Sequence, residues 1–418
     1  MHSSTRPRPR SAERRRRFSS NTSSRRPSHG HSSFRGRGRT SARSKKQQPT
    51  FNPAQFINKN PAPLEPEVYT PDHTFADFGL DRRIVDTLQQ LDLVTPTPIQ
   101  DQIIPQIMQG RDVIGLAATG TGKTAAFLLP LIHASIAQPH RQTLILTPTR
   151  ELAIQIEHEL QKLSKGLRLH AVTCVGGVGI KPQIQALRRR NQFIIGTPGR
   201  IMDLIERRNF NPAKVSTVIL DEADRMLDMG FINDMRSILG GTPNDRETLF
   251  FSATMTKEAE KLVHDFLRDP VTVSVKKTDV TTSVEQDIVP FYHDAKFDTL
   301  VTLLQKSEFE RVMIFGAMKR SVETLAKQLT QAGIRAESIH GNKTHSQRQR
   351  ALSNFKRGFS RVLVATDVAA RGIHVDSVSH VINYDLPNTF EDYVHRIGRT
   401  GRGIHSGKAL TFVPAKLT

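Results

Sequence analysis

At 418 residues the chain is longer than one typical domain, and an apolar fraction of 37% suffices to build packed cores. No run approaches the roughly 18 apolar residues that a membrane-crossing helix needs, and the single cysteine, Cys174, excludes any internal disulfide. A formal charge of +20 favours a polyanionic partner.

The charge is unevenly placed. Residues 1–50 hold 15 Arg or Lys against one acid, Glu13, which leaves residues 51–418 only +6 of the +20. The segment is rich in Arg, Ser and Pro, with RRRR at 14–17 and RGRGR at 35–39, and has too few apolar residues to offset chain entropy. It reads as a disordered tail that adds non-specific phosphate contacts, so deleting it is expected to flatten the salt dependence of nucleic-acid binding. A secretory signal would need an apolar h-region, and Phe18 and Phe34 alone do not make the amphipathic face of a transit peptide. Residues 51–72 (PAPLEPEVYTP within them) read as a Pro-rich linker. Cys174, within HAVTCV, reads as a core residue, and the location as reducing and cytoplasmic.

From Phe75 onward, apolar strand-like runs alternate with helical patterns. Strands are expected at 112–118, 143–149, 192–197, 217–220 and 248–252, with a helix over 151–165 whose Leu152, Ile156 and Leu160 recur every four residues. A polar stretch near Val280 interrupts this rhythm, which resumes at 312–316, 361–367 and 379–387 and ends with KALTFVP. Continuous apolar runs in a βαβ rhythm predict parallel sheets covered on both faces, in two α/β units. The boundaries are a tail and linker over 1–72, a first unit over 73–277, a short linker over 278–286 and a second unit over 287–418.

The chemistry begins at AATGTGKT, residues 117–124. A Gly-rich turn between a strand and a helix lets backbone N–H groups approach phosphates. Lys123 can reach the β- and γ-phosphates, and the Thr124 hydroxyl suits Mg²⁺. Ala117 stands where a phosphate loop usually has its first glycine. The DEAD tetrapeptide, 221–224, follows the apolar run Val215–Leu220, which places its carboxylates at the carboxyl end of a parallel sheet. Asp221 would hold Mg²⁺ and Glu222 would orient and deprotonate the attacking water. An acidic helix start is the bland alternative, weakened by the phosphate loop upstream.

These segments, with Phe75, TPTPIQ (95–100), PTREL (148–152), Gly176-Gly177, TPGR (197–200), SAT (252–254), HGNK (340–343), ATDVAARG (365–372) and HRIGRTGR (395–402), occur in an order that resembles the DEAD-box RNA helicases over nearly all of residues 73–418. Within that family the chain is similar to the RhlE-like bacterial branch. The resemblance implies two tandem RecA-like domains with parallel sheets behind the basic tail. ATP and Mg²⁺ are the implied cofactors, and RNA is held by sequence-independent backbone contacts; DNA and membranes are not expected as partners. It implies a nucleotide site made of Phe75 stacked on adenine, Gln100 hydrogen-bonded to it, and the loop Ala117, Ala118, Thr119, Gly120, Thr121, Gly122, Lys123 and Thr124. Arg150, Gly177, Thr197 and Arg200 would contact RNA in the first unit, and Arg348 and Thr366 in the second. Asp224, Ser252 and Thr254 would couple the two sites.

No arginine near Lys123 or Asp221 offers itself for the charge that develops on the γ-phosphate. The resemblance supplies Arg402 as that arginine, with Arg399 beside it, so hydrolysis would require the two units to close. Departures from the family pattern are Ala118 for Gln, Asp92-Leu93 for a Gly–aromatic pair, His345 for Gln, and His374 where the ribose-binding Asp is usual. They bear on nucleotide affinity more than on reaction type. RNA-stimulated ATP hydrolysis with unwinding of short duplexes is the leading expectation. A slow ATP-gated RNA clamp is the alternative, and ribosome-assembly or RNA-decay proteins are candidate partners.

Overall fold

The computed structural model describes residues 56–59, 61, 69–118, 120–275, 284–370, 375, 378–401 and 407–416. The basic tail, Thr119, His374 and Arg402 lie outside the described residues. Two all-parallel sheets organise the rest, as the βαβ rhythm implies. The first comprises β1 (Val113–Leu116), β2 (Gln142–Leu146), β3 (Ala171–Cys174), β4 (Phe193–Gly196), β5 (Val215–Leu220), β6 (Glu247–Ser252) and β7 (Val271–Ser274), in the order β3-β4-β2-β5-β6-β1-β7. The second comprises β8 (Glu285–Phe291), β9 (Val312–Phe315), β10 (Ala336–Ile339), β11 (Val362–Ala365), β12 (His380–Asn383) and β13 (Lys408–Pro414), in the order β10-β11-β9-β12-β13-β8. β8 takes in the last two residues of the expected 278–286 linker.

Alternation along the central strands explains why their apolar runs are continuous. Ile145, Ile195, Ile219, Leu249 and Phe251 face one core layer, while Leu144, Leu146, Ile194, Val218, Leu220 and Phe250 face the other. Helix α3 (Lys123–Ala137) sets Phe127 5.2 Å from Phe251 on the first layer. Helix α4 (Arg150–Leu163) buries Leu152, Ile156, Leu160 and Leu163 there, each contributing about 1.5–3 kcal/mol. Thr149 caps α4 by accepting from Leu152 N at 3.3 Å, which fixes where the chain leaves β2 and turns.

The stretch before Phe75 is packed where it is described. Asn58 and Gln286 exchange two backbone hydrogen bonds (2.8 and 2.9 Å) against the edge strand β8, and the Phe56 ring lies 4.5 Å from that of Tyr393. Further on, Asp101 accepts from Tyr69 Oη at 2.5 Å and Asp72 N at 2.8 Å, and pairs with His73 Nδ1 at 2.8 Å. Two physical needs hold this segment: an edge strand offers unpaired backbone groups, and Asp101, 2% exposed, needs donors. Among the described residues no helix is long and apolar enough to cross a membrane.

Candidate active site and nucleic-acid interface

The strand order sorts the chemistry. At their carboxyl ends β5, β6 and β1, which are neighbours, deliver the DEAD segment, SAT and the phosphate loop. The adjoining β3, β4 and β2 deliver Gly176-Gly177, TPGR and PTREL. One edge of the first unit therefore gathers the expected site segments into two adjacent clusters.

The phosphate loop is anchored on both sides. Ala117 N donates to Ser252 O at 3.1 Å, and Thr121 Oγ1 donates to Ala118 O at 3.0 Å. Gly122, the residue before α3, has φ +93°, and a Cβ there would lie 2.6 Å from Gln100 Nε2, so glycine is required twice over. Lys123 is 7% exposed, and its Nζ donates to Ala117 O at 2.5 Å. Burial pulls the Lys123 pKa down, while Asp221, Glu222 and Asp224 pull it back up. Gln100 spans the nucleotide side: its Oε1 accepts from Thr97 N at 2.9 Å and its Nε2 donates to Gly122 O at 3.2 Å. The amide thus ties the start of helix α2 (Pro98–Met108) to the phosphate loop. Phe75, 5% exposed, packs edge-on against Phe78.

The carboxylates are buried and individually held. Asp221 is 3% exposed, and burial, only partly offset by Lys123, lifts its pKa from 3.8 to about 7. Lys123 alone does not compensate the burial of this carboxylate, and a divalent cation beside Thr124 would add the missing positive charge; this donor set fits Mg²⁺. Glu222 adopts φ +53°, ψ +50°, a left-handed conformation that strains a non-glycine residue by about 1–2 kcal/mol. Its Oε2 accepts from Arg225 Nη1 at 2.7 Å. Asp224 Oδ2 accepts from Ala253 N, Thr254 N and Thr254 Oγ1, each at 3.1 Å, and Ser252 Oγ donates to Thr254 O at 2.7 Å. The DEAD and SAT segments are therefore one hydrogen-bonded unit.

On the adjoining surface Gly177 has φ +73°, and a Cβ would collide with the Arg150 guanidinium lying across it. Arg200 donates to Gln183 Oε1 at 2.9 Å and to Val178 O at 3.3 Å, and Thr197 begins the helix that carries it. Arg348, on the helix His345–Lys356 of the second unit, pairs with Glu151 of PTREL at 3.0 Å, with the Glu151 side chain 4% exposed. Thr366, 7% exposed, follows β11.

Of the arginines in HRIGRTGR, Arg396 is structural. It is 1% exposed and grips Asp367 bidentately (2.6 and 2.8 Å), and its Nη1 reaches Asp385 O at 2.6 Å. Arg399 lies beside it along a cleft with Phe315, Asp367 and His395. Sequence reasoning missed Arg225, Gln183 and Arg396. Only Arg225 left a signal, a cation three residues after Glu222 on one helix face.

The DEAD/DEAH box helicase family description matches residues 97–262, and the helicase conserved C-terminal domain matches 295–403. The chain is 46% identical over 341 residues to the ATP-dependent RNA helicase CshA of Listeria monocytogenes, covering 81% of this chain and 66% of that protein. It is 45% identical over 342 residues to the DEAD-box ATP-dependent RNA helicase CshA of Bacillus subtilis, covering 81% and 69%. Among solved structures, S. cerevisiae Dbp5 bound to RNA and ADP BeF3 superposes with a TM-score of 0.73 at 30% identity, covering 82% of this chain and 90% of that one. Mss116p bound to ssRNA and AMP-PNP gives 0.74 at 28% identity, covering 81% and 73%. Fold and site together define a two-unit RecA-like nucleoside-triphosphatase. The chain belongs to the DEAD-box family of ATP-dependent RNA helicases. The bacterial relatives are CshA proteins, which corrects the RhlE-like branch expected above.

Proposed function

We propose that the chain hydrolyses ATP in response to RNA and uses the closure of its two units to separate short RNA duplexes or remodel RNA–protein complexes. The observation that carries this reading is the Glu151–Arg348 pair, which draws the PTREL turn of the first unit against the second. Arg225, the arginine beside the buried carboxylates of the first unit, is already engaged by Glu222, which leaves the developing phosphate charge to arginines of the second unit.

In this reading Phe75 and Gln100 bound the adenine. Lys123 and the loop amides of 117–124, Thr119 among them, hold the β- and γ-phosphates. Magnesium, held by Thr124 and Asp221, supplies neutralising charge on the phosphates when bound. Glu222 orients the attacking water and takes its proton, with Arg225 fixing the carboxylate. Arg399 and Arg402 meet the charge that develops on the γ-phosphate, so the step waits for closure. Arg150, Gly177, Thr197 and Arg200, with Arg348 and Thr366, grip the sugar–phosphate backbone of one strand and leave base sequence unread. Asp224, Ser252 and Thr254 transmit the state of one site to the other. ATP and RNA affinities rise together by reciprocity. The slow clamp is not the reading that the relatives favour. A cytoplasmic setting fits the one free, buried cysteine, and ribosome-assembly or RNA-decay proteins fit as partners for a core that reads no sequence.

Steady-state ATPase activity with and without single-stranded RNA, beside Glu222→Gln, tests this. Strong stimulation by RNA but not DNA, lost in the variant, is expected. Hydrolysis indifferent to RNA would overturn it.

A further inference from the structure

Apart from Phe75 and Gln100, which precede the first strand, every group assigned so far in the first unit's sites lies at the carboxyl ends of its strands or on the helices that start there. The opposite end carries a different chemistry. Three connections meet there: 138–141 between α3 and β2, 164–170 between α4 and β3, and 188–192 between the helix Ile180–Leu187 and β4. Two buried amides knit them together. Gln192 Oε1 accepts from His170 N at 2.9 Å, and its Nε2 donates to Pro139 O at 3.1 Å. Asn191 Nδ2 donates to the carbonyls of Ala186 and Arg189, each at 2.9 Å. Gln192 thus ties the three connections into one fixed rim, while Asn191 closes the turn of its own connection.

The rim is acid-free and basic. Its 16 residues contain Arg141, Lys165, Arg168, Arg188, Arg189 and Arg190 and no Asp or Glu. Six positive charges equal the whole net excess of residues 51–418, so the rest of that stretch sums to zero. Arg141 turns inward to Glu247 at 2.5 Å, whereas the other five are exposed, as are His140 and His170. Among the described residues none of those five pairs with an acid. A cavity of about 380 Å³ opens beside two of them, lined by His170, Ala171, Ala186, Arg189, Arg190 and Asn191. That is room for on the order of ten waters at about 30 Å³ each, enough to admit a sugar or base.

We propose that this rim is a second RNA-binding surface, taking the phosphodiester backbone of a segment outside the strand gripped at the carboxyl ends. It rests on the reading that RNA is the substrate. Arginine outnumbers lysine four to one among the exposed cations, which suits bidentate contact with phosphate. The rim also borders β3, an edge strand whose other end leads into Gly176-Gly177. Four residues at about 3.3 Å each separate the two ends, so an RNA leaving the first surface reaches the second within on the order of ten nucleotides.

The test is the full chain carrying Arg188→Gln, Arg189→Gln and Arg190→Gln, compared with wild type on an 8-nucleotide and a 30-nucleotide single-stranded RNA. The 30-mer needed for half-maximal ATPase stimulation should rise about tenfold, and the log–log salt slope of its binding should fall by about 2, at roughly 0.7 per lost phosphate contact. The 8-mer response and the maximal rate should be unchanged. Equal 30-mer behaviour in both proteins would overturn the proposal, and so would equal losses on both lengths. Wild type unresponsive to either RNA would overturn the parent reading and this one with it. Photocrosslinking of a 4-thiouridine 30-mer to wild type, independent of any variant, should label residues within 164–170 or 188–192; labelling confined elsewhere would also refute it.

Discussion

Asp221→Asn should abolish ATP hydrolysis and yet make the nucleotide-free protein more stable at neutral and alkaline pH. Burial lifts the carboxyl from 3.8 to about 7 in the folded chain, while the unfolded chain keeps the ordinary value. A raised folded-state pKa contributes stability that is complete below pH 3.8 and is lost as pH rises through about 7. The slope between is about 1.4 kcal/mol per pH unit, so from pH 5.5 to pH 8 wild type loses about 2 kcal/mol that an amide, which does not titrate, retains. For a unit of roughly 200 residues that corresponds to a melting shift of about 4–8 °C in favour of Asn. Urea or thermal unfolding of both proteins at pH 5.5, 7 and 8, without Mg²⁺ or nucleotide, reads the difference directly. Parallel stability–pH curves would show that Asp221 is no strained carboxylate, and the inference to a cation site would fall with it. Adding Mg²⁺ and ADP should stabilise wild type more than the variant, since the ligand binds the folded state alone.

Arg225→Ala leaves Glu222 buried and unpaired, so it should destabilise the first unit by about 3–5 kcal/mol in urea unfolding and depress ATPase. Arg225→Lys, which keeps charge but loses the fork, should recover stability better than rate. Gly177→Ala forces a side chain into the left-handed region and into Arg150; half-saturating RNA in the ATPase assay should rise at least tenfold, with a smaller change in maximal rate. His345 stands near Glu151 between the charges of Arg150 and Arg348, and burial holds its pKa below 6.5. Its neutral form favours the packed arrangement, a contribution present above pH 6.5 and lost as pH falls. RNA affinity in the presence of ATP should therefore weaken at pH 5.5 more in wild type than in His345→Gln, measured by fluorescence anisotropy.

Much of the architecture was legible because its central strands are buried on both faces. Leu144–Leu146, Ile194–Ile195 and Val218–Leu220 leave unbroken apolar runs that no amphipathic helix would show. Edge strands were harder. β10 spells Ala-Glu-Ser-Ile and β7 buries only Val273, so half-exposed pairing leaves no strong period, and neither was expected. Lys123, Asp221, Glu222 and Asp224 announce themselves through local spacing. Their supports do not: Arg396 and Asp367 are 29 positions apart, and Gln183 meets Arg200 only after two helices pack. The packed segment around Asn58 hid behind prolines, because its order comes from an edge strand more than 200 residues away.

That segment makes the topology a closed loop. The chain touches β8 of the second unit at Asn58, then Asp101 of the first at Tyr69, and returns to the second unit at Val284. Eight peptide steps separate Pro61 from Tyr69 and nine separate Val275 from Val284, spans of at most about 30 Å each whatever their path. While Asn58 stays on β8, each unit is a double-tethered neighbour of the other, and reunion after product release is an intramolecular search at millimolar-scale effective concentration. In the proposed cycle of closure and opening, the first unit thereby keeps its partner unit within reach at any dilution of the protein.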